Sequence, residues 1–162
     1  MIKAANPASI FPAICLIDSD VIINWLAKEA DPVSNEELWE APHKIMKLIE
    51  GKKINGFSAL INLLEIRFVL RRKKNLGEDR IKKDIAKLLN LLEIIIPDEV
   101  ILLKANSLQT DHPFSPFDAM LIAVGSSIPN AVLISRDKSL AALASKFMPT
   151  ATPEEFLRNF NL

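Results

Sequence analysis

The sequence predicts an α/β protein: a three-layer α/β/α arrangement around a central, mostly parallel sheet of about five strands. Three observations lead there. Short apolar runs alternate with helical patterns along the whole chain. The runs are apolar on both faces, as strands covered by helices on each side must be. Finally, 162 residues with 49% hydrophobic content supply enough apolar material for one core of ordinary size.

Each element has its own local reason. Ala13-Ile14-Cys15-Leu16-Ile17 reads as a buried strand, followed by an amphipathic stretch to about Lys28. Residues 29 to 42 hold Pro32, Pro42 and five acids, which suggests an acidic loop or a mobile helix. A helix over His43–Glu50 stops at Gly51. Ile54–Phe57 is a short strand, and Ser58 is placed to cap a long helix reaching about Lys74. Gly77 precedes a helix over 78–92 with apolar residues at Ile81, Ile85, Leu88 and Leu89. Ile94-Ile95-Ile96-Pro97 is the third strand, and a helix follows from Asp98 to about Gln109. Pro116 opens a helix through Val124, Ala131–Ile134 is the fourth strand, and Lys138–Ser145 is helical. A short strand near Phe147 and a helix opened by Pro153 complete the series. No internal repeat or linker breaks the pattern, so one domain over 1–162 is expected.

Composition excludes several classes. Twenty basic and twenty acidic residues cancel, so nucleic-acid binding would have to rest on a local patch rather than on net charge. A lone cysteine, Cys15, permits neither a disulfide framework nor a four-thiolate zinc site. No apolar run approaches the roughly 20 residues of a membrane span. The apolar N-terminus is interrupted by Pro7 and Pro12 and makes a poor signal peptide. A soluble cytoplasmic protein without membrane contact is the expectation.

Chemistry is suggested by acids isolated in apolar territory. Between Ala4 and Ala27 the only charged residues are Asp18 and Asp20; between Ile54 and Ile66 the only one is Glu65; between Pro113 and Ser135 the only one is Asp118. An unpaired buried carboxylate is costly, so each calls for a partner, a cation or an edge position. Asp18 and Asp20 follow a strand and could cap the next helix, as could Asp137 after the fourth strand. Asp118 falls in a first helical turn, where the helix dipole favours it. Glu65 has no such role open to it, only partial exposure beside Asn62 and Arg67. Three of the four sites, all but Glu65, lie at or just after strand ends or at a helix start, along the edge where open parallel sheets bind ligands. Carboxylates converging there repel unless a divalent cation lies between them. Oxygen ligands favour Mg²⁺ or Mn²⁺, and such ions suit phosphoryl chemistry.

The segments Leu16-Ile17-Asp18-Ser19-Asp20-Val21, Leu63-Leu64-Glu65-Ile66, Phe117-Asp118-Ala119-Met120-Leu121-Ile122-Ala123 and Ile134-Ser135-Arg136-Asp137 resemble, in order, the acidic motifs of PIN-domain nucleases. The closing Thr152-Pro153-Glu154-Glu155-Phe156-Leu157 is similar to theirs as well. The resemblance spans Leu16 to Leu157 and is nearest to the toxin ribonucleases of VapBC toxin–antitoxin pairs. It implies an endoribonuclease dependent on Mg²⁺ or Mn²⁺, usually a homodimer, with RNA as substrate and an antitoxin protein as partner. Metal-activated water would attack the phosphodiester, leaving 5′-phosphate and 3′-hydroxyl ends. Carried over by position, Asp18, Glu65, Asp118 and Asp137 would be the metal ligands, and Ser135 would support them by hydrogen bonding. Asp20 stands where that family often has asparagine and would support the ligands indirectly. The acidic stretch between Glu29 and Glu40 is longer than the resemblance leads one to expect, which bears on substrate access and partner docking.

Other residues have plainer roles. Between Arg67 and Lys87 nine basic residues face three acids, either a solvated helix end or a track for RNA phosphates. His43 and His112, each near a proline, read as loop residues rather than an acid–base pair. Trp25 and Trp39 read as packing residues and Cys15 as inert. Two other functions remain open at this level. Ile17-Asp18-Ser19-Asp20-Val21 also resembles the first motif of haloacid-dehalogenase-type phosphatases, and the scaffold could bind RNA or protein without catalysis.

Overall fold

A computed structural model describes residues 13–159. The N-terminal apolar stretch with Pro7 and Pro12 lies outside the described residues. Five parallel strands form one sheet in the order β3-β2-β1-β4-β5: β1 (Ala13–Ile17), β2 (Ile54–Ala59), β3 (Glu93–Ile95), β4 (Val132–Ile134) and β5 (Thr150–Ala151). Helices α1 (Ser19–Ala27), α2 (Glu40–Glu50), α3 (Leu60–Arg72), α4 (Glu78–Leu91), α5 (Glu99–Asp111), α6 (Pro116–Gly125), α7 (Lys138–Ala144) and α8 (Pro153–Asn159) cover it.

The predicted alternation is therefore present, and the side-chain period of two in β1 explains the layers. Cys15 and Ile17 enter one core with Ile22, Trp25, Ile45, Ile66, Ile81 and Phe156. Leu16 enters the other with Leu108, Phe114, Ile122, Leu133 and Met148. Because β1 is buried on both faces, its run of apolar residues is continuous rather than alternating.

Gly56 in β2 is the position where packing forbids a side chain: a Cβ there would lie 2.3 Å from Ile49 Cδ1 and 2.8 Å from Leu92 Cδ2. Two helices and the sheet meet over that point.

Several boundaries differ from expectation. β2 continues through Ser58, whose hydroxyl donates to the Ile17 carbonyl at 3.1 Å, so α3 starts without a side-chain cap. α2 begins at Glu40 and carries Pro42 in its first turn, where a missing N–H costs nothing. The helix therefore starts three residues before His43. The acidic stretch folds as a hairpin-like loop: Ala30 bridges Glu37 antiparallel, Asp31 N–H donates to Glu36 O at 2.8 Å, and Leu38 N–H donates to Glu29 O at 2.9 Å. The last strand is Thr150–Ala151; Phe147 instead lies edge-on to His112, with ring centroids 5.2 Å apart.

The strand order fixes where a site can form. The chain leaves β1 for β2 and β3, then returns to add β4 on the other side of β1. The carboxyl ends of β1 and β4 thus flank the switch point, the usual ligand crevice of an open parallel sheet.

Candidate functional site

Asp18 follows β1 directly, and its N–H continues the sheet by donating to Ile134 O at 3.0 Å. The Ile17 carbonyl is held by Ser58 Oγ at 3.1 Å and Asn62 Nδ2 at 3.3 Å. The strand end is thereby fixed from the β2–α3 side. Asp18 caps α1, accepting the Ser19 N–H at 2.6 Å on Oδ1, while Ser135 Oγ donates to Oδ2 at 2.8 Å. Capping and site membership are thus combined in one carboxylate that is 7% exposed.

Its neighbours are acids. Burial, followed by repulsion from Asp20, pushes the Asp18 pKa up to about 7; the hydrogen bonds from Ser135 and Ser19 oppose this, and Glu65 adds further repulsion. Asp20 accepts from Val21 N–H at 2.6 Å and from Arg136 N–H at 2.8 Å. Desolvation raises its pKa against those bonds and the Arg136 charge, and Asp137 repels it too. Glu65, half-buried in the middle of α3, is reached by Ser19 Oγ at 2.5 Å.

Ser135 follows β4. Its hydroxyl binds Asp18 and also accepts the Asp137 N–H at 3.0 Å, so one oxygen joins the two strand ends. Asp137 caps α7, accepting from Ser139 N–H at 2.8 Å and Leu140 N–H at 2.9 Å. The Asp118 carboxylate occupies the first turn of α6, a helix capped by Ser115 Oγ, which accepts the Asp118 N–H at 3.1 Å. α6 packs against α3, the helix of Glu65.

The structure thus links Asp18, Asp20, Glu65, Ser135 and Asp137 through hydrogen bonds and mutual repulsion, and no described bond ties Asp118 into that set. Among the described residues, no three carboxylate, histidine or cysteine groups are close enough together to hold a metal ion. The donor chemistry nevertheless suits one. All-oxygen donors, one of them deeply buried and repelled by two other acids, match a hard divalent cation. The cation acting on this group, Arg136, has its guanidinium engaged by Glu154, Asn24 and Leu38 O.

Ser19 and Arg136 are the residues that sequence reading missed. Ser19 lies between two singled-out aspartates, and that adjacency was its only signal. Elsewhere, His43 Nδ1 accepts the Trp25 indole N–H at 3.3 Å and Lys87 sits 4.3 Å over the Trp25 ring, while His112 packs on Phe114 and Phe147. Three of the nine basic residues between 67 and 87 are ion-paired: Arg67 with Glu78, Lys74 with Glu29 and Arg80 with Asp84. A groove of about 520 Å³ is lined by Glu36, Glu37, Glu40, Lys44, Glu154 and Arg158 among others and by none of Asp18, Asp20, Glu65, Asp118 and Asp137.

A family model for the PIN domain matches residues 15–146. The chain belongs to the PIN-domain family. PIN domains are generally nucleases, and membership replaces the phosphatase reading of Ile17–Val21. Solved structures of low identity share the fold. VapBC2 from Rickettsia felis, bound to a DNA fragment from its promoter, aligns with TM-score 0.64 at 14% identity over 86% of this chain and 98% of that one. A Pyrobaculum aerophilum protein aligns with TM-score 0.63 at 15% identity over 98% of each chain. A toxin–antitoxin complex from Klebsiella pneumoniae gives TM-score 0.59 at 16% identity over 86% of this chain and 97% of that one. No curated protein sequence matches the chain. Among the described residues, no helix is long and apolar enough to cross a membrane.

Proposed function

We propose that this PIN chain, one domain over 1–162, is a divalent-metal-dependent endoribonuclease and the toxin of a toxin–antitoxin pair, acting in the cytoplasm. The carrying observation is the buried Asp18 carboxylate at the sheet's switch point, flanked by Asp20 and Glu65. Asp18, Glu65, Asp118 and Asp137 would hold Mg²⁺ or Mn²⁺. When bound, such an ion lowers the pKa of a water and stabilises charge on the phosphate.

The chain's own residues supply position. Ser135 fixes the plane of the Asp18 carboxylate, and Ser19 holds Glu65 toward it. Arg71, Arg72, Lys73, Lys82 and Lys83 are exposed around the end of α3 and the start of α4, a cationic corner suited to RNA phosphates.

Partner proposals rest on other surfaces. Leu60, Leu64 and Phe68 form an i, i+4, i+8 stripe along α3, exposed by 37%, 59% and 58%, and on α5 Val100 and Leu103 are exposed by 72% and 62%. Large apolar side chains left in solvent on two helices that both pack on α6 support a homodimer. The fold's likeness to toxin–antitoxin complexes supports an antitoxin protein as partner.

The test is cleavage of labelled RNAs with Mg²⁺ or Mn²⁺, with EDTA and Asp18→Asn as controls. Cleavage abolished in both controls supports the proposal. A folded protein that binds Mn²⁺ yet cuts no RNA, with or without a co-purifying partner removed, overturns it in favour of a non-catalytic binding scaffold.

A further inference from the structure

Arg136 stands between Ser135 and Asp137, and its side chain, 20% exposed, reaches three distant segments. Nε donates to Asn24 Oδ1 on α1 at 3.0 Å, and Nη2 donates to Leu38 O at 2.9 Å. Nη1 and Nη2 donate to the two carboxylate oxygens of Glu154 on α8 at 3.0 and 2.6 Å. Asn24 Nδ2 donates onward to Glu29 Oε2 at 2.6 Å, while the Glu29 N–H donates to Asn24 O at 3.0 Å.

Glu29 and Leu38 are opposite arms of the acidic hairpin loop, joined to each other by the Leu38 N–H donating to Glu29 O. One guanidinium therefore holds both arms at their base, one directly and one through Asn24. The same residue's backbone N–H donates to Asp20 Oδ2 at 2.8 Å, and the next residue is Asp137. A planar fork of five donors can satisfy this many fixed acceptors at once, whereas an ammonium on a flexible stem cannot.

We propose that Arg136 is a positioning residue: it clamps the hairpin loop of residues 29–38 and α8 to the turn after β4, and thereby sets Asp20 and Asp137 beside Asp18. Its guanidinium is engaged within the protein and does not serve as a phosphate ligand. The clamp stands on the hydrogen bonds alone; its effect on catalysis rests on the nuclease reading.

Three readouts test this on the full-length protein carrying Arg136→Lys, Arg136→Gln or Glu154→Gln. The last leaves every Arg136 partner but one intact and so guards against simple misfolding. Hydrogen exchange should rise at least about tenfold in residues 29–38 and in 135–138, with α5 and α6 unchanged. Mn²⁺ affinity, measured by calorimetry without RNA, should fall about tenfold or more, and Arg136→Lys should not rescue it. RNA cleavage should lose kcat with KM unchanged, since RNA is not contacted. Unchanged exchange in residues 29–38 of a folded Arg136→Lys protein overturns the clamp. Raised exchange with unchanged Mn²⁺ affinity, or a KM rise as the main kinetic effect, overturns the positioning role. A wild-type protein that binds Mn²⁺ but cuts nothing refutes the nuclease reading alone, and the exchange and Mn²⁺ results still decide the proposal.

Discussion

The Ser19 hydroxyl donates to Glu65 Oε2 at 2.5 Å, a bond between the first turn of α1 and the middle of α3. Ser19 also donates its backbone N–H to Asp18 Oδ1 at 2.6 Å, so one residue spans two acids that repel each other. Removing the hydroxyl by Ser19→Ala should free Glu65 while leaving the Asp18 cap in place. A net loss of about 1 kcal/mol for one hydrogen bond would lower the melting temperature by about 2–4 °C. RNA cleavage should fall about tenfold or more, as for other groups that orient ligands. Thermal melts and initial rates on one preparation check both numbers.

Asp18→Asn should abolish cleavage yet stabilise the metal-free protein at neutral pH. The folded pKa, about 7, lies above the ordinary carboxylate value, so the folded state binds more protons than the unfolded state between roughly pH 4 and 7. Stability of the wild type therefore falls as pH rises through that window. The amide, which keeps an oxygen for the Ser19 N–H, escapes the loss. Melting temperatures in EDTA at pH 5 and pH 8 should show the variant's advantage growing with pH. Added Mn²⁺ should raise the wild-type melting temperature and leave the variant's unmoved.

Gly56→Ala should cost about 1–3 kcal/mol, because the new Cβ collides with Ile49 and Leu92 in a packed core. Denaturant unfolding with an unchanged slope and a lowered midpoint is the expected signature.

Cys15 should resist alkylation in the native protein. Burial pushes its thiol up to about 12, and Sγ donates to Asn55 O at 3.5 Å in the middle of the sheet. Mass spectrometry after iodoacetamide treatment should find it unmodified until denaturant is added.

Phe68→Lys with Leu64→Lys should convert the proposed homodimer to a monomer without unfolding it, since both side chains are more than half exposed. Sedimentation of wild type and double variant side by side decides this.

The sequence exposes the layers of this fold because burial on two faces leaves unbroken apolar runs, as at Ala13–Ile17. It exposes Asp18, Glu65 and Asp118 because a charge stands out in such surroundings. Partners far along the chain leave no such mark. Ser58 looks like a helix cap, and only the register of β1 against β2 reveals that its hydroxyl belongs to Ile17 O. Arg136 looks like one more surface cation, since its acceptors lie on α1, α8 and the loop before α2. The sequence starts α2 three residues late, at His43, because Pro42 reads as a break, although a first helical turn tolerates it.

The bond from Ser135 to Asp18 joins residues 117 positions apart, and that from Arg136 to Asp20 joins residues 116 apart. β1 is made before its neighbour β4, which is complete only once Ile134 has been synthesised. A nascent chain halted before that point carries Asp18 and Glu65 with Ser19 between them but lacks the Ser135 and Arg136 donors. During translation the acid cluster therefore stays incomplete until Ser135, Arg136 and Asp137 have left the ribosome.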